Sequence, residues 1–522
     1  MRVDPITLEV FNHRLSAIAE EMGVVLCHSA FSPNIKERRD FSCALFDARG
    51  DMVAQAAHIP VHLGSTPLSV RAAIEQVAMA PGDVVMLNDP YCGGTHLPDV
   101  TLVAPIVLPG ERHPFAYVAD RAHHADIGGA TPGSMPLATE IYAEGLRVPP
   151  VRIVARGKIA ADVLRLFVAN ARVAAERRGD LLAQLAALRL GDSRIRELVR
   201  RAGRRTTQAA MKALQDYSAA LMVAALRRVP PGTYRAEDWM DDDGAGAQDV
   251  PIRVALRIRG GQVTVDFSGT APQVAGGINA NYAVTLAAVL YVLQSLAGST
   301  IPANAGLLRP VHVIAPEGTL VNARFPAAVA GGNVETSQRI VDVLLKALAK
   351  AVPGRIPAAS NGSMNNLAFG GRDPHGDREF AYYETIAGGA GAGPHGPGAS
   401  GVHTHMTNTL NTPVEALEAA YPLRVTRYSL RANSGGAGRY RGGDGVVREI
   451  EFLVPAEVTL LTERRRRVPY GLQGGANGQT GRNFLINGRR VLRLEGKTRV
   501  SVAPGERIRI LTPGGGGWGR RR

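Results

Sequence analysis

Two short apolar runs, each emptying into a cluster of carboxylates and imidazoles, constrain what this chain can fold into more than any other feature. The first, Val84-Val85-Met86-Leu87, reads as a buried strand and is followed by Asn88-Asp89-Pro90-Tyr91-Cys92-Gly93-Gly94-Thr95-His96-Leu97-Pro98-Asp99. Glycine and proline shape that loop, so its polar groups should emerge where a strand ends, which is where sites tend to sit. The second run, Phe115 to Ala119, leads to Arg121-Ala122-His123-His124-Ala125-Asp126. Nitrogen and oxygen donors from two neighbouring strand ends suit a borderline divalent metal such as zinc, manganese or iron(II). Spacing alone leaves a second reading open, a hydrogen-bonded polar loop with no metal.

The 522 residues exceed the roughly 250–300 that one core usually holds, so several lobes are expected. The pattern predicts an α+β chain in four parts. Residues 1–160 form an α/β region carrying the candidate metal stretch, 161–230 a helical connecting segment, 231–427 a central α/β region and 428–522 a β-rich end. Asp4 and Pro5 open a helix reaching Cys27. The charged turn Glu37-Arg38-Arg39 feeds a strand ending at Asp47, with a second strand at Met52 to Ala56. Asp40 stands at that strand entrance, facing a pocket or pairing with its arginine neighbours. His58 and His62 precede a helix over Thr66 to Ala78, capped by Ser65 or Thr66, and are either site groups or loop histidines.

Further along, Gly128 to Pro136 reads as a lid or substrate cradle if a metal is near, and as a plain turn otherwise. Leu181, Leu182, Leu185, Leu188, Ile195, Leu198 and Met211 supply one apolar stripe to helices between Asp162 and Arg228. A hairpin follows at Ile252 to Ile258 and Val263 to Phe267, and the tip Asp241-Asp242-Asp243-Gly244 reads as solvated, with the wrong spacing for an EF-hand. Helices over Asn279 to Ala297 and Val334 to Ala351 flank a strand at Pro310 to Ala315. His403 and His405 alternate, so they share a side if extended, as ligands or as structural histidines. Gly514 to Gly517, anchored by Trp518, suggest backbone packed against another surface; no following helix offers a dipole to phosphate.

A net charge of +14 invites a nucleic-acid reading, but the arginines are scattered, with clusters at Arg200-Arg201, Arg204-Arg205, Arg464 to Arg467 and Arg520 to Arg522. No zinc-finger spacing or recognition-helix pattern accompanies them. Solvated arginines or an acidic partner chain are the preferred account, with no nucleic acid as partner. Cys27, Cys43 and Cys92 lack C-x-x-C spacing, which favours a reducing, cytoplasmic setting, with Cys92 a bystander in its loop. Met1 to Val10 holds no secretory signal, and no run of about 18 apolar residues exists to span a membrane.

Asp4 to Val10, Glu37 to Asp47, Asn88 to Asp99, Arg121 to Gly129, Asp266 to Thr270, Gly331 to Arg339, Gly401 to Asn411 and the terminal glycine tract together resemble the hydantoinase B/oxoprolinase family. That family includes the B-type component of N-methylhydantoinase, the C-terminal half of ATP-dependent 5-oxoprolinase and the metal-bearing subunit of acetone carboxylase. The resemblance implies a hetero-oligomer in which an A-type subunit of actin-like fold uses ATP to phosphorylate a lactam, an imide or another carbonyl compound. The B-type subunit then completes the reaction at a divalent metal. The lack of a Walker A pattern agrees with nucleotide binding on the partner.

By the same resemblance, His96, Asp99 and a later histidine hold the metal, His123 being favoured over His124. The resemblance also implies Asp40 as a site aspartate; on chemical grounds an adjacent carboxylate, Asp40 or Asp89, is expected to take a proton from water as general base, with His124 a substrate contact or alternative ligand. The expected function is a subunit of an ATP-dependent cyclic amidohydrolase acting on 5-oxoproline, a hydantoin or a similar lactam. The alternatives are a ketone carboxylase subunit and a non-enzymatic basic binding protein.

Overall fold

The computed structural model describes residues 3–521 apart from 57, 299–300 and 375. Met1, Arg2 and Arg522, which close two stretches read above, lie outside the described residues. The architecture is α+β, as the pattern predicts.

Helix α1 (Pro5–Ser29) starts where expected: the Asp4 carboxylate accepts from Thr7 N at 3.0 Å and Pro5 takes the first turn, where a missing N–H costs nothing. The short α2 (Pro33–Lys36) then leads into a seven-stranded sheet. Its strands are β1 (Phe41–Asp47), β2 (Met52–Gln55), β3 (Val84–Leu87), β4 (Asp99–Ile106), β5 (Ala116–His123), β6 (Val151–Ala155) and β7 (Lys158–Ile159), in the order β2-β1-β5-β4-β3-β6-β7. All neighbours pair antiparallel. Between β2 and β3 lie α3 (Pro60–Leu63) and α4 (Thr66–Gln76). Ser65 does not cap α4: its hydroxyl donates backward to Val61 O at 2.9 Å and takes Arg121 Nη1 at 2.6 Å, because the buried guanidinium needs an acceptor.

Strands β1, β4 and β5 are covered on both faces. Cys43 and Leu45 pack among α1, α5 (Ala161–Ala169), α6 (Ala174–Ala202) and α7 (Arg204–Arg227), whereas Ala44 and Phe46 join a second core. The alternation is the two-residue period of a strand. Leu181, Leu185, Leu188, Ile195, Leu198 and Met211 are buried as predicted, but Leu182 is 40% exposed, one position off the stripe.

The second core holds α8 (Tyr282–Ala297) and α9 (Ser337–Ala351) against a four-stranded sheet of β8 (Gly232–Asp242), β9 (Gln248–Arg259), β10 (Gln262–Asp266) and β11 (Val311–Ile314). A π-helical turn, Gly332–Thr336, runs directly into α9. Beyond it come β12 (Asn366–Asp373), β13 (Arg378–Glu384), α10 (Val414–Ala420), β14 (Leu423–Leu430), β15 (Val446–Phe452), β16 (Ala456–Leu461), β17 (Arg482–Asn487), β18 (Arg490–Leu494), β19 (Lys497–Val502) and β20 (Arg507–Leu511). They make two more sheets, β13-β12-β16-β19 and β14-β15-β20-β17-β18. The terminal glycines pack on backbone as expected: a Cβ on Gly515 would fall 1.9 Å from Ala390 O and one on Gly516 2.1 Å from Tyr470 O.

Two local expectations change in the folded chain, and a third, left open between lid and turn, takes the form of a turn. The Asp241–Asp243 tip is not solvated; Asp241 and Asp243 are buried, Asp241 accepting from the backbone N–H groups of Arg465, Arg466 and Arg467, and Asp243 from those of Ala245, Ala247 and Gly276. Nor are the arginines simply solvated, since Arg38, Arg121, Arg177, Arg339, Arg448 and Arg464 are fully buried. Gly128 to Pro136 is a turn shut in by Asp126, whose carboxylate accepts from Gly128 N and Gly133 N, and a Cβ at Gly133 would lie 2.9 Å from Ala368 Cβ. Among the described residues the three cysteines are free, and no helix is long and apolar enough to cross a membrane.

Candidate metal centre

The register of three neighbouring strands builds the centre. Asp99, the first residue of β4, lies directly opposite His123, the last of β5. On the other side of β5, Phe41 pairs with Ala122, and Asp40 O accepts from His123 N at 3.0 Å. The apolar run of β5 therefore continues through Asp120 and Arg121 as strand, because β1 and β4 take its backbone hydrogen bonds on both edges.

His96 arrives by way of a tightly held loop. Asn88, fully buried, takes Val148 N on Oδ1 and donates through Nδ2 to Leu97 O and Leu146 O. Gly93 adopts φ +86°, and a Cβ there would meet the Leu68 backbone at 2.5 Å, so only glycine fits the bend. Asp99 N then donates to His96 O at 3.1 Å, folding the imidazole back over the carboxylate.

Asp99 is the hub. Its Oδ1 lies 3.2 Å from His96 Nε2 and 3.4 Å from His123 Nδ1; its Oδ2 lies 3.3 Å from His62 Nε2 and accepts from Thr95 Oγ1. All four site side chains are at most 3% exposed. His62 comes from α3, and its Nδ1 sits 2.9 Å from Ser42 Oγ. Burial pushes the Asp99 carboxyl up, but the charges of His96 and His62 outweigh that and hold it well below the usual carboxylate range. Burial lowers His123. An ionised Asp99 carboxylate and a neutral His123 imidazole are the forms that ligate a metal.

Among the described residues, both ring nitrogens of His96 and Nε2 of His123 make no hydrogen bond, although His96 Nε2 lies 3.2 Å from Asp99 Oδ1 as an ion-pair contact. Buried polar atoms are rarely left so. One ligand atom each from His96, Asp99 and His123 lies within 4.8 Å of the others. They border a cavity of about 20 Å3, room for about one water-sized particle, which Asp40, His62, Asn333, Tyr383, Met406 and Thr407 help to close. The donor set, the orphaned nitrogens and the cavity fit a divalent cation.

With that geometry in place, comparison with known proteins bears on the lineage. The Hydantoinase B/oxoprolinase family model matches residues 4–521. The chain belongs to the hydantoinase B/oxoprolinase family. It is 42% identical to an uncharacterised Methanocaldococcus jannaschii protein, covering 99% of this chain and 91% of that one. It is also 42% identical to 5-oxoprolinase 1 of Arabidopsis thaliana, again over 99% of this chain but only 42% of the plant protein's length. Among solved structures, an ATP-dependent caprolactamase from Pseudomonas jessenii superposes with a TM-score of 0.93 at 32% identity, covering 100% of this chain and 92% of that one. Acetone carboxylase in its nucleotide-free form shares the fold, with a TM-score of 0.90 at 19% identity over 99% of this chain and 76% of that chain.

Within this hydantoinase B/oxoprolinase chain, the residues singled out from the sequence divide. His96, Asp99 and His123 converge, and Asp40 stands at the cavity edge with Oδ2 3.8 Å from Arg38 Nη2. Asp89 lies apart: Oδ1 accepts from Tyr91 N at 2.9 Å and Oδ2 pairs with Arg147 Nη1 at 3.1 Å. His124 also lies apart, with Nε2 2.9 Å from Gln184 Oε1 and its ring edge-on to Phe167. Consecutive residues leave a strand on opposite faces, which sends His123 to the cavity and His124 to α6. Cys92 is half-buried, and burial raises its thiol, so nothing activates it. His403 faces Asn411 at 3.4 Å, and His405 faces Tyr291 and Asp342; neither reaches Asp99, although Met406 and Thr407 beside them line the cavity. Tyr383 is not legible as a site residue, since it belongs to no spaced cluster of ligand types, and Arg38 is legible only as a pairing partner for Asp40.

Proposed function

We propose that this chain is the metal-bearing B-type subunit of an ATP-dependent cyclic amidohydrolase, opening a lactam or imide ring that a cytoplasmic A-type partner has phosphorylated. The observation that carries the reading is the buried His96–Asp99–His123 group with unpartnered ring nitrogens beside Asp40. Two proteins that this chain resembles over its whole length, named 5-oxoprolinase and ATP-dependent caprolactamase, support a cyclic amide as the substrate class.

The chemistry needs such a centre. Nitrogen donation into an amide carbonyl makes it a poor electrophile. Phosphorylation of the oxygen removes that resonance; water then adds to the carbon, the ring C–N bond breaks as the nitrogen takes a proton and leaves as the amine, and a second water frees the carboxylate and inorganic phosphate. His96, Asp99 and His123 would hold the ion, which when bound supplies Lewis acidity toward an oxygen atom at the site. Asp99 is kept from rotating by Thr95 Oγ1 and His62 on its second oxygen, so it presents Oδ1 to the cavity. Asp40, with Arg38 near its Oδ2, is the carboxylate placed to take a proton from water. Ile59, Val61, Met364 and Met406 line the same cavity and keep bulk solvent out.

The test is a screen of the complex purified with its A-type partner, supplied with ATP and 5-oxoproline, N-methylhydantoin or small lactams. Ring opening coupled to ADP release, and lost in His96→Ala, is the expected outcome. ATP-dependent carboxylation of acetone with bicarbonate, without any ring opening, would overturn it.

A further inference from the structure

Tyr383 belongs to none of the ligand clusters, yet it forms a wall of the cavity and its ring lies flat on His123, centroids 4.7 Å apart and planes 18° from parallel. Stacking at that distance leaves the imidazole little room to swing. The tyrosine is itself held from several sides. Its carbonyl accepts from Arg38 Nη1 at 2.9 Å, and the Arg38 guanidinium carbon lies 5.1 Å from the ring centroid. Its hydroxyl donates to Asn366 Oδ1 at 2.7 Å.

Asn366 has no freedom to turn. Its Nδ2 donates to Glu335 Oε1 at 2.6 Å and to Leu461 O at 2.7 Å, which leaves Oδ1 to face the phenol. Glu335 Oε1 takes a further bond from Met364 N at 3.0 Å. Glu335 sits on the π-turn Gly332–Thr336, whose Asn333 and Val334 line the cavity. Such turns recur at functional sites. Burial, reinforced by Glu463, pushes the Glu335 carboxyl up to about 8, so near pH 7 it anchors Asn366 largely as the neutral acid.

We propose that Tyr383 is a positioning residue for His123, and that the relay Glu335–Asn366–Tyr383 holds the imidazole in the orientation that ligates a divalent ion. The inference rests on the metal-centre reading above. It makes the π-turn, more than 200 residues from His123 in sequence, the outer support of the centre.

The test titrates Co2+ into the full chain and its variants, reading the dissociation constant and the visible absorption band. Tyr383→Leu removes the ring and is expected to weaken Co2+ binding about 10–100-fold. Tyr383→Phe restores the ring, and with it most of the affinity, but shifts the band because the tether is lost. Asn366→Ala shifts the band in the same way. Wild-type affinity and band in both Tyr383 variants, even with a lowered melting temperature, overturn the proposal. Should Tyr383→Leu not fold, an unchanged band in both Tyr383→Phe and Asn366→Ala overturns it. A different failure marks the underlying reading: His96→Ala then binds Co2+ as tightly as the wild type, and the positioning role falls with it.

Discussion

The His96–Asp99–His123 centre and the arginine–carboxylate network around Arg464 are both shut away from water, but they pair their charges differently. In the network each charged side chain meets an opposite charge: Arg464 Nη2 reaches Asp238 Oδ2 at 2.8 Å and Asp342 Oδ2, Arg339 Nη2 reaches Glu463 Oε2 at 2.9 Å, and Lys497 Nζ reaches Glu463 Oε1 at 2.7 Å, although Arg339 Nε, Arg464 Nε and Asp342 Oδ1 make no hydrogen bond among the described residues. In the centre one carboxylate is shared by three imidazoles, and among the described residues His96 Nδ1 and His123 Nε2 have neither a hydrogen bond nor an ion pair. A buried charge that the chain neutralises by itself ties elements together. Imidazole and carboxylate ligand atoms that converge on one small cavity are instead arranged as a cation site would need them.

Substitutions can break that contrast. The largest effect is expected in the centre: His96→Ala or Asp99→Ala should lower turnover with the partner subunit by about 1,000-fold or more, with thermal unfolding close to wild type. Full activity in either variant removes them as ligands. Arg464→Ala should do the reverse, costing about 3–5 kcal/mol in chemical denaturation by stranding Asp238 and Asp342, while folded molecules still take up Co2+. A loss below about 1 kcal/mol means the network is not a structural tie.

Smaller effects sharpen it. His62→Ala frees Asp99 Oδ2 and should weaken metal binding about 10–100-fold, measurable by competition with a chelator; unchanged affinity gives His62 no part in orienting the carboxylate. The network also predicts acid sensitivity. Burial raises the Asp238 carboxyl, but Arg464 and Arg339 outweigh it and lower it to about 2, from 3.8. A carboxyl depressed on folding stabilises the native state above about pH 4, and that stability, on the order of 2 kcal/mol, is lost as pH falls toward 2. Asp238→Asn should flatten the stability profile over that window, and an unaltered profile refutes the assignment.

The local pattern was a good guide to elements and a poor one to partners. Strand β3 runs over the four residues of its apolar run, and α1 begins at the expected cap, because both depend on neighbours a few residues away. The acidic tip at Asp241 looked solvated because its partners, the backbone N–H groups of Arg465 to Arg467, lie more than 220 residues further on. Of the Arg464 to Arg467 cluster, Arg464 and Arg465 looked like surface charge for the same reason but are buried, while Arg466 does stay exposed.

At the centre the division is finer. The sequence alone determined that His96 and Asp99 share a glycine-shaped loop after a strand, and family resemblance named them with His123, since these are properties of short segments and their order. The tertiary structure puts His123 beside Asp99 and turns His124 away, through the parity of β5 and its register against Asp99. It likewise brought His62 onto Asp99 Oδ2, left Asp89 to Arg147, and laid Tyr383 on His123. Which face a side chain takes and what meets it there depend on strand pairing across long loops, and no window of sequence contains that pairing.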